Sequence, residues 1–230
     1  MSKVKKFFLP VLIIFATFFY SLPQTTVSAL TNDAPDIVQV IGSAAEEKID
    51  ATFRLVEEGE GTVAPASALR LEGSIVYTVG GGVTAVSVPL HGDYSLPSNI
   101  TVFFDEDDNV LQTNEMLVTK NELGNFQVST YLNGTLVNSQ DTGIAYMTDE
   151  ELLAEEPSMI QPMGIGDVAA CLVVAMGIGG TLAYAIAVAC GTSCVAPTPV
   201  TGPICAACIG AYAILGTGTI AGAVACFNYL

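Results

Sequence analysis

The rhythm of apolar and polar positions changes several times along the chain. Residues 7–20 are apolar almost without interruption. Residues 37–56 mix apolar and charged positions at helical spacing, and the glycines of residues 57–61 break that pattern. A period of two then takes over, as in half-buried strands. Ile75, Tyr77 and Val79 alternate with their neighbours, Gly80, Gly81 and Gly82 supply a turn, and residues 83–90 read as the next strand. Residues 99–104 and 110–119 flank an Asp/Asn-rich turn. Residues 126–132 and 135–139 flank Asn133-Gly134, a pair suited to the positive-φ positions of a tight hairpin. The pattern predicts an antiparallel meander over residues 70–145.

Thr148 and Glu151 have the spacing of a capping box, so a short acidic helix is expected as far as about residue 156. Pro157 and Pro162 bracket Ser158, Met159, Ile160 and Gln161. Residues beside proline favour extended backbone, so this stretch reads as an exposed linker. Two long apolar runs follow, over residues 166–190 and 204–226, separated by a segment with Pro197, Pro199 and Pro203 that cannot continue a helix. Alanine and leucine favour helix in both runs, against about 1 kcal/mol for each internal glycine. Each run is apolar nearly all round, so it must be buried in protein or in lipid. About 20 helical residues cross a bilayer core, so the spacing allows a membrane hairpin. The fold class expected is α+β: an antiparallel β-meander pro-region followed by a disulfide-stapled α-helical hairpin.

Charge divides the chain in the same places. The net charge is −16. Residues 30–162 hold 22 acidic side chains against Lys48, Arg54, Arg70 and Lys120, and beyond residue 162 the one charged side chain is Asp167. The acidic excess excludes nucleic acid as a partner, because phosphates need Lys and Arg to neutralise them. At the N-terminus, Lys3, Lys5 and Lys6 precede the apolar run of residues 7–20, and Val27-Ser28-Ala29 has the small-residue form of a cleavage site. We expect a signal peptide over residues 1–29, cut by signal peptidase after Ala29. An acidic β-rich pro-region over 30–157, a processing linker over 158–162 and a Cys-rich hydrophobic module over 163–230 complete the expected division. A processing protease would cut within Ser158, Met159, Ile160, Gln161, Pro162 and Met163, or up to Gly166.

Export would place the cysteines in an oxidising space, where six of them read as a disulfide framework. Spacing alone leaves fifteen pairings open. An antiparallel helix pair narrows them, because facing residues have numbers that sum to a constant. Cys171 and Cys226 sum to 397, Cys190 and Cys208 to 398, and Cys194 and Cys205 to 399. Exchange of the inner partners, Cys190 with Cys205 and Cys194 with Cys208, is the competing arrangement. The module has 68 residues, a size at which staples usually supplement the core.

Other motifs carry less. Cys205 and Cys208 have CxxC spacing, but there is no second CxxC, and the single histidine, His91, is far upstream in a turn; a structural disulfide role is expected. Residues 105–109 begin like a calcium loop, yet Val110 stands where glycine is needed and Met116 where the bidentate Glu is needed. Gly218 and Gly222 form a GxxxG, which allows close helix approach. No nucleophile–base pair or spaced carboxylate pair emerges. We expect no enzyme activity, no cofactor and no metal.

The layout of residues 163–230, with Cys171, the Cys190/Cys194 pair, the Cys205/Cys208 pair and Cys226 behind a secretion signal and a long pro-region, resembles halocin-type bacteriocin precursors. The resemblance covers about a third of the chain plus its overall layout. It implies a C-terminal peptide that kills or inhibits related cells at the target-cell membrane, and a pro-region that acts as an immunity or masking partner. The module departs from the usual cationic pattern, since it has no Lys or Arg; insertion would have to be driven by apolar area or by a receptor. The other expectation is a cell-envelope protein with an extracytoplasmic β domain and a C-terminal membrane hairpin.

Overall fold

The computed structural model describes residues 38–79, 82–155, 165–194, 205, 208–209 and 220–227. Ala29 with its preceding segment, the linker at residues 158–163 and the proline-rich turn at 195–203 lie outside the described residues.

Among the described residues seven strands form one antiparallel sheet in which each strand lies beside its predecessor. They are β1 (Val38–Val40), β2 (Ile75–Val79), β3 (Val83–Pro89), β4 (Asn99–Phe104), β5 (Val110–Lys120), β6 (Asn125–Leu132) and β7 (Thr135–Ala145). Local chemistry sets the turns. Asn133 and Gly134 both take positive φ, 47° and 71°, as a tight β6–β7 hairpin demands. Between β4 and β5 the Asp105 carboxylate accepts from the backbone N–H of Asp107 and Asn109, at 2.9 and 2.8 Å. Those bonds lower its pKa, as does the amide of Asn109. The acidic run is thus a self-bonded hairpin turn.

Two elements differ from the sequence reading. The helical pattern assigned to residues 37–56 divides: Val38–Val40 pair with β2, and helix α1 spans Ser43–Glu58. Gly42, at φ 74°, separates the two pieces, and Gly59 closes α1 in the left-handed conformation. Strand β7 runs six residues past the expected end at 139, because pairing with β6 resumes after irregularities in register. The capping box forms as expected: Thr148 accepts from the Glu151 N–H while Glu151 accepts from the Thr148 N–H, opening α2 (Asp149–Ala154).

The sheet separates two cores. Alternation along β5 makes this visible, since Leu117 joins one core while Met116 and Val118 join the other. On the first face α1 contributes Leu55 and Val56, which share a core with Val76, Val86, Val88, Ile100, Val102 and Phe104. On the second face Met116, Val118, Phe126 and Val128, together with Leu152 of α2, meet the C-terminal helices.

Candidate functional site

Among the described residues the C-terminal module contains α3 (Ile165–Met176), α4 (Gly180–Cys194) and α5 (Ile220–Cys226). The apolar run at 166–190 is therefore two helices and not the single hairpin arm that its composition suggested. Gly177, at φ 68°, turns the chain after α3, and the axes of α3 and the first part of α4 differ by 120°. Glycine adopts that conformation without the steric penalty a Cβ brings. Among the described residues no single helix is long and apolar enough to cross a membrane; α3 with Gly180–Gly191 passes by length and composition as a bent pair.

Three disulfides staple the module: Cys171–Cys226, Cys190–Cys208 and Cys194–Cys205, with Cα–Cα distances of 5.5, 5.7 and 4.9 Å. These pairs match the sums of 397, 398 and 399, and the inner two are not exchanged. Cys205 and Cys208 lie in different bridges, so the CxxC spacing forms no vicinal redox couple. The bridges indicate an oxidising environment for the chain. Helix α4 is buried nearly all round, with Leu182, Ala183, Ile186, Ala187, Val188 and Cys190 at most 3% exposed. That satisfies an apolar helix with protein instead of lipid. Helix α3 is buried through Val168, Leu172, Val173 and Met176, while Val174 on its outer side is 76% exposed.

The module docks on the acidic part of the chain. Phe126, its ring tilted 45° to that of Tyr146 with centroids 4.9 Å apart, lies with Val118 and Val128 in the core that holds Leu172, Ile186 and Cys226. Two carboxylates pin backbone around this surface. Asp149 accepts from the Leu96 N–H at 2.7 Å and holds α2 against the loop before β4. Glu155, the last described residue before the linker, accepts from the backbone and side chain of Thr181 at the start of α4.

On the opposite face a third carboxylate, Glu115, has no solvent exposure and accepts from the N–H groups of Val63 and Ala64 at 2.7 and 2.8 Å. It clips the segment after α1 to the sheet, helped by the neighbouring Thr113 hydroxyl, which donates to the Gly61 carbonyl. Burial raises its pKa, while the two N–H bonds pull the other way. A raised native pKa means that the folded form holds the proton to higher pH than the unfolded chain. This contribution to stability is therefore full below the ordinary glutamate range and is lost as pH rises through the raised value. Glu115→Gln replaces one acceptor with a donor facing an N–H and should cost about 1–3 kcal/mol. Urea denaturation of both proteins from pH 4 to pH 7 should show the larger cost at the acid end; a difference constant with pH would refute the assignment.

His91 is exposed, and its backbone N–H donates to the Ala68 carbonyl. No group of three or more His, Cys, Asp or Glu side chains that could hold a metal ion occurs among the described residues. The sequence reading brought the six cysteines together but missed Glu115, Asp149 and Glu155. Glu115 carried a usable signal, since it shares the inward register of Leu117. Glu155 carried none, because its seat lies 26 residues further along the chain. Comparison with family models, with curated proteins and with solved structures finds no match to this chain.

Proposed function

We propose that the chain is a secreted precursor and that its C-terminal module is released as an antimicrobial, bacteriocin-like peptide acting on target-cell membranes. The observation that carries this reading is the pairing of a triply stapled apolar module, charged only at Asp167, with an acidic β domain that supplies one wall of its core. While docked, α4 has little apolar surface to offer a bilayer. Removal of the β domain would expose the faces of Leu172, Ile186 and their neighbours to water, and transfer into lipid would then be favourable by about 25 cal/mol per Å². The module carries no basic residue to seek anionic lipid, so apolar area provides the drive. On the membrane the two apolar stretches, tied together by the bridges, would work as a helical hairpin, and the β domain would mask the module or protect the producer until release.

N-terminal sequencing and intact mass of material from culture medium test the reading. The expected species is an oxidised peptide that begins within residues 158–166, inhibits sensitive cells and loses that activity on reduction. Finding only a full-length chain held in the cell envelope would favour an extracytoplasmic domain with a permanent membrane hairpin.

A further inference from the structure

Glu155 and its seat lie on opposite sides of the proposed cut. The Glu155 carboxylate accepts from the Thr181 N–H at 3.1 and 3.3 Å and from the Thr181 hydroxyl at 3.2 Å. Helix α4 begins at Gly180, so this N–H is one of the donors that a helix leaves unpaired at its start, where a negative charge is favoured. Gly179 makes the approach possible: a Cβ there would stand 2.7 Å from the carboxylate Oε2 and 2.8 Å from the Glu155 Cβ. The pro-region thus carries, close to the expected linker, a carboxylate fitted to a helix end that belongs to the module.

We infer that Glu155 is a latch that survives processing, so that cutting the linker yields a nicked, non-covalent complex and release is a separate step that this contact slows. The inference rests on the precursor reading for its biological sense. A cut within residues 158–166 leaves Glu155 on the pro-region and Gly179 with Thr181 on the peptide. The shared core around Phe126 and Ile186 supplies the bulk of the attraction. The latch adds a charge-assisted contact that fixes how the module sits on the sheet.

The test uses the oxidised full chain with residues 158–162 replaced by the recognition sequence of a specific protease. After cutting, wild-type fragments should co-elute on size exclusion at micromolar concentration. Glu155→Ala should raise the dissociation constant of the nicked complex about 10- to 100-fold. The exposed Glu150→Ala removes the same charge from the same segment and should leave it unchanged. If Glu155→Ala does not fold, Glu155→Gln serves in its place and should give a smaller shift of the same sign. Immediate separation of wild-type fragments would overturn the inference, as would equal behaviour of the Glu155 and Glu150 variants. Elution is the readout, so the latch can stand even if the separated peptide kills nothing, and can fail even if it does.

Discussion

Replacing Cys171 and Cys226 by serine together is expected to destabilise the helical module by about 4 kcal/mol, the largest loss any one bridge should give. The chain-entropy argument sets the order: a cross-link restrains the unfolded chain more as its loop lengthens. The sequence separations are 55, 18 and 11 residues, so the outer bridge outranks the inner two, worth about 3 kcal/mol each. Packing points the same way, because the outer bridge ties α3 to α5, whereas the inner two cluster at the end of α4. Guanidinium denaturation followed by near-ultraviolet circular dichroism, on the double variant and on each inner pair, would establish the order. Non-reducing peptide mapping is the prior check: Cys171 found joined to any partner but Cys226 would remove the basis of the comparison.

Truncation of Phe126 to alanine should cost about 3–5 kcal/mol, and the loss should fall on both layers at once. Phe126 is 2% exposed on β6, its ring rests against Tyr146, and its core includes side chains of α3, α4 and α5. A cavity there removes contacts from the sheet and from the module together. Hydrogen exchange should therefore show amides of α4 losing protection along with those of β6. If protection fell in β6 alone, the two layers would be energetically independent and the docking would contribute little to the fold.

The parts of this architecture legible in the sequence are those governed by neighbours. Asn133-Gly134 announces its turn because few other residues accept positive φ there, and Thr148 with Glu151 announces α2 because both halves of the cap lie within four residues. The expected cysteine pairs occur although the first run is not one continuous arm: the bend at Gly177 separates Cys171 on α3 from Cys190 and Cys194 on α4. The break at Gly177 was not legible, since glycines recur throughout the module and only one of the bends they permit is used to fit α3 and α4 around the sheet-side core. Nor was the docking itself. Composition shows that α4 needs an apolar environment on every side, and a bilayer satisfies that requirement as well as the face of β5 and β6 does. Glu155 is one acid among many until its seat at Thr181 is in place.

The strictly sequential strand order has a consequence for assembly. Among the described residues every sheet pairing joins consecutive strands, and from β2 to β7 the connections are short, so loop-closure entropy is low at each of those additions and pairing can proceed in the order of synthesis. All the cysteines lie beyond residue 170, after β7. A sheet that folds ahead of the module would present them with the wall they pack against. Oxidation after the sheet has folded would collect on a preformed surface thiols that otherwise explore fifteen pairings, and the acidic layer would then act as a mould for the bridges.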